Sequence, residues 1–134
     1  MLKAIKTKAK HAINVVHAHL RERAKSKNRS PHWEATAKAF VKSNPTCAAC
    51  GSKVRLQVHH RAPFHLHPEL ELEPKNLIVL CMGTTECHLQ IGHGGLFSAF
   101  NAKVAEDAAL LLAHLGDSVL WEDIVRRARN FRQR

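Results

Sequence analysis

An α+β fold is the class this sequence predicts, with two short strands set between N-terminal and C-terminal helices. Three observations lead there. Apolar residues recur at helical spacing near both ends of the chain, while Val54–His59 and Leu77–Leu80 have strand character. Four cysteines bracket those strands, with Cys47 and Cys50 before the first, and Cys81 and Cys87 after the second. The 134 residues suffice for one modest core. The expected organisation is a basic helical arm over 1–44, a core over 45–101 and a helical extension over 102–134.

The first helix is expected over Leu2–Arg23, where Leu2, Ile5, Ala9, Ala12, Ile13, Val16 and Leu20 follow a period near 3.6. A charged linker, Lys25 to Ser30, closes at Pro31. Trp33, Ala37, Phe40 and Val41 then share one face of a second helix, which must stop at Asn44 because Pro45 disfavours helix in the residue before it. Cys47–Gly51 reads as a tight turn in which Gly51 is free to take positive φ. Between the strands, Pro63, Pro68 and Pro74 punctuate a loop whose Glu69, Glu71 and Glu73 read as a solvated edge. A helical turn is expected from Thr85 to Ile91, broken by Gly92, Gly94 and Gly95. Helices follow over Ala102–Leu115 and Val119–Phe131, the latter capped by Asp117 or Ser118, with Trp121, Ile124, Val125, Ala128 and Phe131 as its apolar stripe.

Charge is unevenly placed within a net of +10. Residues 1–44 hold eleven Lys/Arg against two Glu, and residues 45–125 hold five against nine acids. The last nine residues add five arginines. Basic arms around a mildly acidic centre suit a phosphate backbone, so nucleic acid is the expected partner. Lys25, Lys27 and Arg29 in the linker, Arg61 beside the histidine pair, and Arg126 and Arg127 near the end are the candidate contacts. No apolar run reaches the length of a membrane span. Residues 12–17 are too polar for an export signal. The expected compartment is therefore the reducing cytoplasm, where four cysteines serve as metal ligands rather than disulfides.

Cys47 and Cys50 have the spacing of one zinc knuckle. Cys81 and Cys87 are further apart, and Gly83 is expected to let their loop fold back so that all four hold one structural zinc. Between the pairs stand His59 and His60. At a strand end, neighbouring side chains point to opposite faces, so one imidazole can hold a metal while the other faces substrate as a base. Asn76, just before the second strand, can tie down the loop through backbone hydrogen bonds. His11, His17, His19, His32, His65, His67 and His114 lack partners at ligand spacing and read as surface or half-buried residues.

The order Cys-x-x-Cys, Val-His-His, Asn-Leu-Ile-x-Leu-Cys, Cys-His over residues 45–108 resembles the HNH endonucleases, in particular a small phage or bacterial subgroup. The resemblance implies a ββα-metal core that hydrolyses DNA phosphodiester bonds. It implies that His60 is the general base, His59 a ligand of a catalytic divalent metal, and Asn76 the residue that orients the base-bearing loop. His88 becomes the metal ligand contributed by the helix. The catalytic ion is open among Mg2+, Mn2+, Ni2+ and Zn2+, and the location is a bacterial cell or phage-infected host. His93 is either a third ligand or a phosphate contact. It follows His88 by five residues, which on an ideal α-helix turns it off that residue's face unless Gly92 ends the helix. Two rivals stay in view: a zinc-stabilised DNA-binding module without catalysis, and a subunit of a phage packaging or DNA-processing complex.

Overall fold

The computed structural model describes residues 10–14 and 28–134. Residues 10–14 are helical, and the remainder of the expected first helix, with Lys25 and Lys27, lies outside the described residues. Helix α1, Trp33–Ser43, follows the Ser30–Pro31 turn, with Glu34 in its first turn and Lys42 in its last, each favourable to the helix dipole. Asn44 ends it: the amide nitrogen donates to the Phe40 and Val41 carbonyls, and the side chain donates again to Phe40. Trp33, Ala37, Phe40 and Val41 form its half-buried face.

Strands β1 (Leu56–His60) and β2 (Leu77–Cys81) form an antiparallel hairpin in which Leu56 faces Cys81 and His60 faces Leu77. The expected start at Val54 is corrected by two residues. Arg55 takes φ +53°, a left-handed conformation that cannot continue a strand, and Val54 remains 64% exposed. The long loop between the strands is stiffened by single 3₁₀ turns at Pro68–Leu70 and Pro74–Asn76, each opened by its proline. A π-helical turn, His88–Gly92, follows the last cysteine.

Helices α2 (Val104–Ala113) and α3 (Ser118–Phe131) complete the fold. The Asp117 side chain caps α3 by accepting from the Leu120 amide at 3.0 Å. The core joins these helices to the hairpin: Val104, Ala108, Leu111 and Ile124 cluster with Ala49, Leu80, Ile91 and the buried cysteines. Complete burial of a side chain such as Ile124 contributes about 1.5–3 kcal/mol. Phe131 departs from the expected stripe. It is 78% exposed, because the chain leaves α3 there to place Gln133 against Phe100 through paired backbone hydrogen bonds of 2.8 and 2.9 Å. Among the described residues, no helix is long and apolar enough to cross a membrane.

Candidate metal centres

The hairpin brings the two cysteine pairs together. The Sγ atoms of Cys47, Cys50, Cys81 and Cys87 all lie within 4.8 Å of one another, and Cys50 and Cys81 are 3.6 Å apart. Bonded sulfurs would stand about 2 Å apart, so this pair is no disulfide. A tetrahedral zinc with Zn–S bonds of about 2.3 Å would instead separate its sulfurs by about 3.8 Å. Gly51 takes φ +75° to close the first knuckle, as its position suggested. In the second loop the left-handed residue is Glu86, at φ +47°, and not Gly83. The sulfurs also collect donors suited to thiolates. The Cys81 amide donates to Cys47 at 3.4 Å, and the Thr85 hydroxyl sits 3.2 Å from Cys87. The Cys47 thiol is pulled down to about 4, first by its hydrogen bond with Cys87 and further by the Ala49, Cys50 and Cys81 amides, against the opposing effect of burial. That donor set fits a structural zinc.

A second cluster gathers around His59, towards the other end of β1. One ring nitrogen each from His59, His88 and His93 falls within 4.8 Å of the others. The five-residue interval between His88 and His93 is resolved by the backbone. The His93 amide donates to the His88 carbonyl at 3.1 Å, an i to i+5 bond that widens the turn and returns His93 to His88's side. Their Nε2 atoms are 3.2 Å apart. Gly92 ends the π turn under His59, where an added Cβ would lie 3.1 Å from the imidazole.

The tautomers follow from the partners. His93 Nδ1 lies 2.7 Å from the Ala99 carbonyl, which only accepts, so this nitrogen carries the proton. His88 Nδ1 meets the Gln57 side-chain oxygen at 2.7 Å and is a donor for the same reason. Two unprotonated Nε2 atoms therefore face each other with no proton between them. Among the described residues, the buried Nε2 of His59 also lacks a hydrogen-bond partner. Burial holds His59 well below the ordinary histidine range, with its three imidazole neighbours adding to the effect. Burial and then His93 push His88 down to about 4. Three neutral imidazoles converging in this way, two of them oriented by outer carbonyl acceptors, fit a divalent cation with open coordination positions.

His60 occupies the opposite face of the same strand end. Its ring stacks on Trp33 at 4.5 Å between centroids, and its Nε2 lies 2.9 Å from the Glu71 carbonyl. Nε2 is accordingly the protonated nitrogen, and Nδ1 keeps its lone pair. Burial is the main cause that lowers the pKa of His60 below the usual value, and the Glu71 carbonyl partly opposes it. Asn76 is buried at the foot of the loop. It accepts from the Ala62 amide at 2.8 Å and donates to the Ala62 and Leu70 carbonyls. Glu71 corrects the expectation of a solvated acidic edge: it is 1% exposed, and its carboxylate accepts from the Ser30 amide at 3.1 Å with Arg29 at 3.8 Å. Glu69 and Glu73 remain at the surface.

His59, His60, His88 and His93 open onto one cleft of about 660 Å³, shared with Trp33 and Phe97. Arg29 also lines it, and its guanidinium rests 4.5 Å from the centre of the Phe64 ring. Arg61 lines a neighbouring groove and donates to the Lys75 carbonyl. Arg127 pairs with Asp107 at 3.4 Å, and Arg126 pairs with Asp123 beside a separate groove flanked by Glu86 and Glu122. Sequence reasoning missed Gln57 and Thr85 as partners of the two clusters, and Trp33 and Glu71 as partners of His60. Only Gln57 carried a usable signal, since it precedes His59 by two on the same strand. No protein-family model matches this chain, and no curated protein or solved structure matches it either.

Proposed function

We propose that this chain is a metal-dependent endonuclease of the HNH type that hydrolyses phosphodiester bonds in double-stranded DNA. The observation that carries the reading is the convergence of His59, His88 and His93 on one point, with His60 presented from the next position of the same strand. The basic residues of 1–44 and the five C-terminal arginines support a polyanionic substrate.

A divalent cation held by the three imidazoles would stabilise charge developing on the phosphate and on its leaving oxygen. The chain's own work is done at His60. With its Nε2–H committed to the Glu71 carbonyl, only Nδ1 can accept a proton, and a neutral imidazole is the active form of a base. His60 Nδ1 takes the proton of a water whose oxygen bonds to phosphorus as the bond from phosphorus to the 3′ oxygen breaks. The leaving 3′ oxygen takes a proton from solvent, so the products are 5′-phosphate and 3′-hydroxyl ends. Asn76 holds the loop that carries the Glu71 carbonyl, and so the base, in register with the strand. The four-cysteine site serves folding, because its sulfurs tie the chain entering β1 to the chain leaving β2 at the open end of the hairpin.

Incubating supercoiled plasmid with the protein and Mg2+, Mn2+ or Ni2+ tests this. Relaxed or linear DNA should form with metal and not with EDTA. DNA left intact under every ion, together with salt-sensitive binding, would favour the zinc-stabilised binding module instead.

A further inference from the structure

The segment just before α1 makes contacts that neither the metal clusters nor the hairpin require. Two of its residues, Arg29 and Ser30, converge on the surroundings of His60 together with Trp33, the first residue of α1. The Ser30 amide donates to both Glu71 carboxylate oxygens, at 3.1 and 3.3 Å. Arg29 lies 3.8 Å from the same carboxylate and spans the rings of Phe64 and Trp33, at 4.5 and 5.2 Å from their centres. Trp33 stacks on His60 at 30° between planes. Glu71 therefore holds the assembly at both ends: its side chain grips the incoming segment, and its carbonyl accepts from His60 Nε2.

We propose that residues 29–33 are a positioning strap for the base, holding the His60 ring between the Trp33 indole and the Glu71 main chain. The inference rests on the nuclease reading for its kinetic consequence but not for its structural one. An imidazole ring can rotate about χ2, and the carbonyl fixes one ring atom only. Stacking on the indole supplies the second restraint, which sets the plane in which the Nδ1 lone pair lies. Glu71 matters because its carboxylate is almost fully buried at 1% exposure. A buried carboxylate needs its donors, so the strap is held where its amide satisfies it. Trp33 belongs to a half-buried helix face, whereas the cysteine and histidine ligands stand on other elements. The strap can therefore be altered without touching either cluster.

The test uses the full chain with Trp33→Leu, which keeps apolar bulk but removes the ring, and Trp33→Phe, which restores one. Two readouts are taken at saturating metal: plasmid cleavage kinetics, and the ¹⁵N signals of His60 identified by their loss in His60→Gln. Trp33→Leu is expected to lower kcat by about tenfold to a hundredfold with KM unchanged. It should also weaken the protected Nε2–H signal, while Trp33→Phe recovers most of both. Glu71→Ala and Glu71→Gln form a second pair with the same expected order, which covers the case of a Trp33 variant that folds poorly. Wild-type kcat and unchanged His60 signals in Trp33→Leu and Glu71→Ala would overturn the strap. If the wild type cuts nothing, the nuclease reading fails, and the ¹⁵N signals alone decide this inference.

Discussion

Gly92→Ala is the sharpest probe of the three-histidine site, because it adds one methyl group without disturbing a backbone angle. Gly92 is absent from the glycines with positive φ, so alanine can adopt its conformation. The methyl carbon would stand 3.1 Å from both Cε1 and Nδ1 of His59 and 3.2 Å from Leu80 Cδ1. Comfortable separations are about 3.5–4.0 Å, so the imidazole must retreat by roughly half an ångström. It has little room, since His59 is 3% exposed and Leu80 is fully buried. Metal–ligand distances tolerate only about 0.2 Å. A loss of about tenfold to a hundredfold in affinity for the second metal is expected, the range seen when a ligand loses its support. Overpacking costs about 1–3 kcal/mol, from which the chain-entropy gain of about 0.4–1 kcal/mol is subtracted. Calorimetric titration of Mn2+ into zinc-loaded protein measures the affinity, and thermal melting measures the stability. Gly116→Ala is the control. It strains a residue at φ +88° with no described atom within 4 Å of the new carbon, so it should lower melting and leave metal affinity alone. Unchanged Mn2+ affinity in Gly92→Ala would refute the claim that His59 is a ligand locked against this glycine.

Two further outcomes are expected. Metal analysis should find one tightly bound zinc per chain, and Cys47→Ser should lose it along with cooperative melting; a zinc-free wild type that melts normally would remove the structural centre from the account. Burial, and then the neighbouring His93, push His88 from the ordinary value near 6.5 down to about 4, so folding favours its neutral form. The unfolded chain binds the extra proton, and the stability is present above about pH 6.5 and lost as pH falls towards 4. The interval corresponds to about 3 kcal/mol, so His88→Gln should show a flatter melting profile between those pH values in the absence of added divalent metal. An equally steep profile in that variant would assign the acid sensitivity to other groups.

What could be read from the sequence was local chemistry. The stop of α1 at Asn44–Pro45, the Asp117 cap and the Cys47–Cys50 knuckle each depend on residues a few positions apart. The hairpin and the pairing of cysteines across it were legible for the same reason, since two short strands leave few ways to join. The placing of His93 was not, because a five-residue interval has opposite meanings on an α-helix and on a π turn, and the choice is made by packing around Gly92. Glu71 misled because a glutamate in a proline-punctuated loop usually faces water, and its partner amide at Ser30 lies 41 residues away. Trp33 read as an ordinary helix-face residue; its contact with His60 exists only once α1 lies on the hairpin. The early start assigned to β1 failed on one residue, Arg55, whose left-handed φ no alternation pattern signals.

If His60 is a base working beside a metal held by its neighbours, cleavage of plasmid must depend on its imidazole, and His60→Ala removes it. Removing a general base costs about a hundredfold to ten-thousandfold in rate. At saturating Mg2+ or Mn2+, His60→Ala should therefore leave supercoiled plasmid nearly intact while keeping wild-type zinc content, Mn2+ affinity and DNA affinity. Cleavage by His60→Ala at the wild-type rate would contradict the assignment.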